Sequence, residues 1–379
     1  MKIRLLFLCL ALLSLIGCRE DDPMISSTDT EVSDGHKNGE IKGFFLLNEG
    51  NMGNNKATLD YYDYESGTYT KNIYAERNPG VVKELGDVGN DLKIYGDKLY
   101  AVINCSHFVE VMDVATARHI TQISIPNCRY ITFDKGYAYV SSYAGPVAID
   151  PNARLGYIAK VDTTTMEVVD SCVVGYQPEE MAVVGNKLYV ANSGGYRVPD
   201  YDRTVSVVDL ATFEEIKKID VAVNLHRVEA DRFGRVYVSS RGDYGKVSSS
   251  TYVIDAQTDE VVKDMRLPNS EMEICGDSLY VYNYDYGKKA MTYTLYDVLR
   301  DEVVAQRNLA EGMGLNIEVP YGIAVNPETK EVFLTDAKDY VTPGKLYCFD
   351  KEGRYKWSVT TGDIPAHFAF TKKKLKPIK

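Results

Sequence analysis

The side chains with the most chemical potential in this chain are tyrosines, asparagines and arginines that recur in loops. The sequence holds 29 Tyr but only 5 His and one Trp in 379 residues. Tyrosine offers a flat apolar surface and a hydroxyl group, and asparagine offers both a donor and an acceptor. The segments that carry them are residues 48–55, 143–154, 194–201, 241–244 and 282–286. These loops suit a large, neutral ligand with a polar rim better than a metal ion or a nucleic acid.

Catalytic motifs are sparse. His226 and His367 precede the first strands of two repeats and could rim a central funnel, but there is no G-x-S-x-G elbow, Walker loop or GxGxxG. Paired carboxylates at 179–180, or Glu271 with Glu273, could bind calcium as in propeller lactonases, yet no loop gathers oxygen ligands around them. The sequence therefore predicts no catalytic residue, no metal site and no enzyme.

Charge and leader sequence point to an exported protein. The net charge is −11, whereas a nucleic-acid-binding protein should be enriched in Lys and Arg. Residues 1–17 read as a signal peptide, with Lys2 and Arg4 before an apolar run at 5–16. The run ends at Gly17-Cys18, which resembles the lipobox of bacterial lipoproteins. We expect Cys18 to be lipidated and residues 18–40 to form a flexible acidic tether.

Seven copies of one pattern organise the rest of the chain. In each copy an Asp closes an apolar segment, and successive copies lie 42 to 53 residues apart. Turn sequences typical of β-hairpins, such as Gly96-Asp97, recur along the chain at intervals similar to those of the aspartates. The seven aspartates are Asp63, Asp113, Asp162, Asp209, Asp255, Asp297 and Asp350. Periods of this length with several short strands predict an all-β protein, a β-propeller with seven four-stranded blades.

Strand positions and ring closure follow from the same pattern. The fourth copy predicts strands at residues 181–184, 187–191, 204–209 and 215–221. Residues 366–370 read as an orphan first strand and residues 43–48 as an orphan second strand. Pairing them would complete the seventh blade and remove exposed edges. We therefore expect one propeller domain over residues 41–379.

The second-to-third strand loops vary in length, and they open on the same side as the connections between blades. Variation on one face of a rigid scaffold marks the binding face of a repeat protein. Loop position and chemistry select the following candidate ligand-binding residues: Asn48, Asn51, Asn90, Asn104, Arg129, Tyr130, Tyr143, Tyr196, Arg227, Arg241, Tyr244, Tyr284, Tyr321 and His367.

The cysteines do not form a disulfide scaffold. Removing Cys9 with the signal peptide and assigning Cys18 to lipid leaves an odd number, so at least one thiol stays free. Cys105 and Cys128 map to the same face of adjacent blades. We expect that they could form a disulfide, which would stiffen the loop rim.

Three features together resemble a known group: residues 44–51 (FFLLNEGN), the Gly-Asp-Lys-Leu-Tyr hairpin at 96–100, and the lipobox. The mature chain is similar to surface lipoproteins of gut Bacteroidetes that are YncE-like seven-bladed propellers, and most similar to the BtuG-type cobalamin-binding proteins. The resemblance implies capture of cobalamin and related corrinoids at the cell surface and delivery to a TonB-dependent transporter. It also implies a lipid anchor in the outer membrane and no bound cofactor other than the transported ligand.

Two other functions fit the same loops. A surface propeller of this kind could bind a glycan or a peptide, or it could be a calcium-dependent lactonase-like hydrolase. If the ligand is a corrinoid, cobalt could also accept an imidazole from His226 or His367.

Overall fold

The structure is a computed structural model that describes residues 27–36, 39–81 and 84–378. The predicted signal peptide and the predicted lipidation site, Cys18, lie outside the described residues. Across the described ranges, no helix has the length and apolar character that crossing a bilayer requires.

Six four-stranded antiparallel sheets follow one another along the chain and form blades 1 to 6. Blade 1 contains β5 (Gly89–Tyr95), β6 (Lys98–Ile103), β7 (Phe108–Asp113) and β8 (His119–Ser124). Blade 2 contains β9 (Cys128–Asp134), β10 (Tyr137–Ser142), β11 (Tyr157–Asp162) and β12 (Val168–Val173). Blade 3 contains β13 (Pro178–Val184), β14 (Lys187–Asn192), β15 (Thr204–Asp209) and β16 (Glu214–Asp220).

The next three blades repeat this arrangement. Blade 4 contains β17 (Leu225–Ala230), β18 (Arg235–Ser240), β19 (Ser250–Asp255) and β20 (Glu260–Asp264). Blade 5 contains β21 (Glu271–Cys275), β22 (Ser278–Asp285), β23 (Ala290–Asp297) and β24 (Glu302–Arg307). Blade 6 contains β25 (Pro320–Val325), β26 (Val332–Asp336), β27 (Pro343–Phe349) and β28 (Tyr355–Asp363).

Blade 7 joins the two ends of the chain, as the sequence predicted. Its strands are β29 (Pro365–Thr371), β2 (Gly43–Asn48), β3 (Thr58–Asp63) and β4 (Thr68–Lys71). In the closing pair, Phe44 lies opposite Phe370 and Leu46 opposite Phe368. The first strands of neighbouring blades contact one another around the whole ring, including β29 with β5. The seven-bladed β-propeller is thereby confirmed.

The repeated aspartate has a local structural role. It ends the third strand of each blade, or directly follows it in blade 6, and its carboxylate accepts a backbone N–H two residues later. Asp63 Oδ1 accepts from Glu65 N at 2.7 Å, and Asp162 Oδ1 accepts from Thr164 N at 2.7 Å. This side-chain turn satisfies backbone donors at the tight reversal into the fourth strand. The repeat therefore fixes the turns that hold each blade together.

Part of the predicted tether is an ordered strand. β1 (Thr28–Glu31) pairs antiparallel with β4 and adds a fifth, outermost strand to blade 7. All four of its residues are exposed and polar, so the sequence has no alternating apolar pattern that would predict this strand. The unpaired edge of β4 supplies its hydrogen bonds instead. The helix α1 (Ile73–Arg77) follows β4 and packs its buried residues, Ile73, Tyr74 and Ala75, toward the ring.

Burial increases from the rim of the disc toward its middle strands. The second and third strands of the blades are largely buried, whereas β12 and β24 at the outer edge are mostly exposed. Phe44, Phe333 and Trp357 belong to one apolar cluster that spans blades 6 and 7. The core is thus a ring of clusters between neighbouring blades, and it leaves the axis open for polar side chains.

Candidate functional site

A cavity of about 550 Å³ opens at the axis on one side of the disc. That side carries the loops between second and third strands and the connections from each blade to the next. We call it the pocket face. The cavity is lined by residues of all seven blades, from Asn90 in blade 1 to Glu49 in blade 7.

Most of the residues that the sequence selected come together here. Ten of the fourteen candidates line the cavity: Asn90, Asn104, Arg129, Tyr130, Tyr196, Arg227, Arg241, Tyr244, Tyr284 and Tyr321. They converge because each lies near or just after the end of a second strand, or near the start of a first strand, and both positions lie next to the axis on the pocket face.

One side of the cavity floor is cationic. Glu179 in blade 3 lies between two guanidinium groups, with Arg129 Nη2 at 3.2 Å from Oε2 and Arg241 Nη1 at 3.7 Å from Oε1. Tyr143 Oη donates to Oε1 at 2.5 Å, and Ser193 Oγ donates to the same oxygen at 3.3 Å. One carboxylate therefore faces two guanidinium groups across blades 2 to 4.

These contacts shift the pKa values in consistent directions. Burial raises the pKa of Glu179, but Arg129 and Arg241 outweigh it and hold the pKa below its usual range. Burial lowers the pKa of His226, and Arg241, Arg227 and Arg129 lower it further. His226 is therefore neutral, and this side of the floor has a positive potential.

The opposite side of the floor is acidic. Glu49 in blade 7 accepts from Tyr321 Oη in blade 6 at 2.8 Å, and its other oxygen lies 3.0 Å from His367 Nε2. In a seven-membered ring, blades 6 and 7 stand opposite blade 3. An ion pair between Arg227 of blade 4 and Glu271 of blade 5 lies between the cationic side and the acidic side of the floor.

Tyrosines form much of the wall and rim. Tyr244 and Tyr286 are 75% and 65% exposed, so their rings are available to a ligand. Tyr286 contacts Tyr284 edge to face at 4.8 Å, and its hydroxyl lies 3.0 Å from that of Tyr340. Tyr340 in turn contacts Tyr321 at 5.9 Å. The rings of blades 5 and 6 thus support one another as a continuous aromatic surface.

A smaller cavity of about 270 Å³ continues along the axis. Its lining is rich in carboxylates, which are Asp91, Glu180, Glu229, Glu271 and Glu273. Arg227 and Glu271 line both cavities, so their ion pair lies between them.

Four candidates lie away from the main cavity. Asn48 is fully buried, and its Nδ2 donates to Thr58 Oγ1 at 3.0 Å, which ties β2 to β3. Asn51 bonds the Tyr340 carbonyl within the loop layer. Tyr143 is buried behind Arg129, whose guanidinium lies 4.8 Å from its ring centroid. His367 lines the smaller cavity and bonds Glu49.

The structure does not contain the disulfide that the sequence allowed between Cys105 and Cys128. Cys105 and Cys128 are both free thiols. Cys128 is buried, with its Sγ directed at the carbonyl of Phe108 at 3.4 Å, whereas the Cys105 Sγ contacts Asn104 Oδ1. The shared face did not specify the direction of each side chain, and in the structure the two sulfur atoms contact different partners.

Several lining residues were missed by the sequence analysis. Glu49, Asn269, Tyr282 and Tyr286 all line the cavity. Tyr282 and Tyr286 belonged to a loop already singled out for its tyrosines. Glu49 follows the candidate Asn48 directly, and the alternation of side chains along a strand would have favoured one over the other. In the part of the chain that the structure describes, no group of three or more His, Cys, Asp or Glu residues could hold a metal ion.

Seven antiparallel blades around a polar axis, with a loop-lined cavity on one face, define a β-propeller with a candidate binding site. Residues 42–370 match the family DUF5074, a domain of unknown function, and the chain belongs to that family. Among solved structures, it is similar to the hydrazine synthase of Kuenenia stuttgartiensis. The match has 16% identity and a TM-score of 0.57, and it covers 70% of this chain and 77% of the other. This likeness shows the fold alone. No curated protein matches the chain.

Proposed function

We propose that this protein captures cobalamin (vitamin B12) or a related corrinoid at the pocket face and hands it to a TonB-dependent transporter in the outer membrane. The observation that carries the proposal is the axial cavity of about 550 Å³, with its tyrosine wall and polar floor. Ligand clefts in proteins typically measure about 300–1,000 Å³. The resemblance of the sequence to cobalamin-binding surface lipoproteins selects the corrinoid among the candidate ligands, and a molecule larger than the cavity would also contact the loops around its mouth.

The chemistry of the wall suits a corrinoid. A corrin ring is broad and nearly planar, and its edge carries amide side chains. Tyr244 and Tyr286 offer exposed faces for stacking, and their hydroxyl groups can bond to amides. Asn269 Nδ2 donates to Thr251 Oγ1 at 3.1 Å, while its Oδ1 has no hydrogen-bond partner among the described residues. A ligand N–H would satisfy that acceptor.

The floor is held in place before any ligand arrives. Arg129, Tyr143 and Ser193 all bond Glu179, and Tyr130 Oη lies 3.0 Å from His226 Nε2. Side chains that are already fixed lose little entropy on binding, so a preorganised cavity can bind tightly.

Calorimetric titration of the purified full chain with cyanocobalamin tests the proposal. We expect saturable binding of one corrinoid per chain with a Kd below about 1 μM. Asn283→Trp should abolish binding, because it places a bulky ring in the cavity lining. Asn186→Trp is the matched control, since Asn186 is exposed in the β13–β14 turn on the opposite face. Absence of heat and of any spectral change with folded protein would contradict the proposal.

A glycan is the second candidate ligand, because exposed tyrosines also stack on sugar rings. If cyanocobalamin fails to bind, a glycan array probed with the same protein distinguishes this candidate. A glycan that binds the wild type but not Asn283→Trp would support this candidate.

The proposal also covers the cellular location of the protein and its membrane anchor. We propose that mature protein begins at lipidated Cys18 and lies at the cell surface, with residues beyond it as a link to the propeller. Intact mass of protein extracted from membranes should show a chain that starts at Cys18 and carries acyl groups. Co-purification of a TonB-dependent transporter with the wild type would support the proposed partner, and a chain without acyl groups would contradict the anchor.

A further inference from the structure

Arg241 is a charged side chain in the cavity that donates no side-chain hydrogen bond to any described residue. It follows β18 directly, and its side chain is 30% exposed. Its only ion pair among the described residues is with Glu179, at 3.7 Å, which is too long for a good hydrogen bond. By contrast, Arg129 donates to Glu179 from both Nε and Nη2. A guanidinium carries five N–H donors, so the donors of Arg241 are available to an acceptor on a ligand.

The carboxylate that faces Arg241 is already in use. Glu179 accepts from Arg129, Tyr143 and Ser193, and it is 1% exposed. One negative charge thus serves two guanidinium groups, which leaves an excess of one positive charge. Burial is the main reason for the low pKa of His226, and the three arginines around it lower that pKa further.

The excess charge is localised. Arg227 is paired with Glu271 and lies 3.8 Å from Glu180, so its charge is balanced toward the smaller cavity. Glu49 provides negative charge on the far side of the ring, beside Tyr321. The cavity therefore has a positive end at blades 2 to 4 and a negative end at blades 6 and 7.

We propose that the ligand carries an oxyanion and that Arg241, supported by Arg129, binds it at the positive end of the cavity. This inference rests on the proposed function and deepens it. In a complete cobalamin the oxyanion is the phosphodiester of the nucleotide loop, and the cationic cobalt–corrin lies toward Glu49. Such a ligand is neutral overall but strongly dipolar, as the cavity is. Guanidinium–phosphate contacts are among the stronger hydrogen bonds in proteins.

The test compares cyanocobalamin with dicyanocobinamide, which lacks the nucleotide loop and its phosphodiester. Wild type should bind cyanocobalamin at least about 10-fold more tightly than dicyanocobinamide. Arg241→Gln should weaken cyanocobalamin binding by about 10- to 100-fold and change dicyanocobinamide binding by less than about 2-fold. Arg241→Lys should retain part of the preference, because it keeps the charge but loses the fork.

Arg203→Gln is the matched control. Arg203 lies on the pocket face, pairs with exposed Asp220 and does not line the cavity. It should leave both affinities unchanged, and melting curves of all variants should match that of the wild type.

Each outcome has a distinct meaning. Equal wild-type affinity for the two corrinoids, or equal loss of both in Arg241→Gln, overturns the oxyanion site and leaves corrinoid capture intact. Failure of both corrinoids to bind folded wild type overturns the proposed function and this inference together. Loss of the preference only in Arg241→Gln supports the inference.

Discussion

Glu179 shows how single residues shape the cavity floor. It is a carboxylate at 1% exposure, a placement that is costly unless the charge is paired and hydrogen-bonded. Arg129, Tyr143 and Ser193 meet that requirement. Because these partners come from blades 2 and 3, one side chain fixes the relative positions of two blades at the axis.

Tyr244 provides a prediction at the residue scale. Tyr244→Ala should weaken corrinoid binding by about 10-fold, since the variant loses a stacking surface in the cavity wall. The free energy of unfolding should change little, because the side chain is 75% exposed. Tyr244→Phe should keep most of the affinity. The measurement is a titration with cyanocobalamin.

Tyr355→Ala is the control for this prediction. Tyr355 is also exposed, but it lies on β28 and does not line the cavity. Unchanged affinity in Tyr244→Ala would show that the exposed rim does not contact the ligand.

At the scale of elements, the closure of blade 7 holds the ring together. Phe44 on β2 is fully buried and meets Phe333 of blade 6 at 4.8 Å, Tyr62 at 5.2 Å and Phe370 of β29 at 5.6 Å. One side chain therefore joins the two ends of the chain and the neighbouring blade. Closure of this kind replaces an exposed strand edge with a packed interface.

Phe44→Ala should lower the free energy of unfolding by about 3–5 kcal/mol, the usual cost of emptying a large aromatic site. Denaturant unfolding followed by tyrosine fluorescence measures it. Phe233→Ala should cost less than about 1 kcal/mol, because Phe233 is 42% exposed. Similar losses for the two variants would contradict a central role for the closure cluster.

The repeated elements could be predicted because each blade uses the same turn chemistry. In blade 3 the predicted strands agree with β13 to β16 to within a few residues, and the pairing of β2 with β29 is confirmed. β1 could not be predicted, since its four exposed residues carry no apolar period and the edge of β4 determines its place.

The sequence predicted the face that carries the candidate site better than it predicted which side chains line the cavity. Loop variation located the pocket face, and ten candidates line its cavity. Tyr143 was a candidate but does not line the cavity, whereas Glu49 lines it but was not a candidate. Which of two adjacent side chains points to the axis depends on strand register and on partners from other blades. Those contacts join residues far apart in sequence, as with His367 and Glu49.

At the scale of the whole molecule, the blades together place carboxylates around the axis. Glu229 of blade 4 and Glu273 of blade 5 face the smaller cavity with Glu180, Lys93 and Arg227. Burial raises the pKa of Glu273 to about 7, although Lys93 lowers it. Burial and the neighbouring Glu273 also raise the pKa of Glu229 well above its ordinary value. Gathering these groups at one point disfavours their full ionisation.

This arrangement predicts a pH dependence of stability. The pKa of Glu273 is higher in the folded state than in the unfolded chain, so the folded state holds more protons between about pH 4.5 and pH 7. The free energy of unfolding should therefore fall as pH rises through that window. Glu273→Gln should be more stable than wild type by roughly 1–3 kcal/mol at pH 8, with a much smaller difference at pH 5.

Urea unfolding at the two pH values measures the difference. Glu260→Gln is the control, since Glu260 is exposed on β20 and should show no such dependence. A Glu273→Gln variant that is destabilised equally at both pH values would contradict the protonation of this cluster.

Corrinoid capture at the pocket face is tested most directly by size-exclusion chromatography of the full chain mixed with cyanocobalamin. The prediction is that corrin absorbance elutes with the protein peak, at one corrinoid per chain, and that Asn283→Trp separates the two. Elution of all the corrin at the small-molecule volume, with the wild-type protein folded, would contradict it.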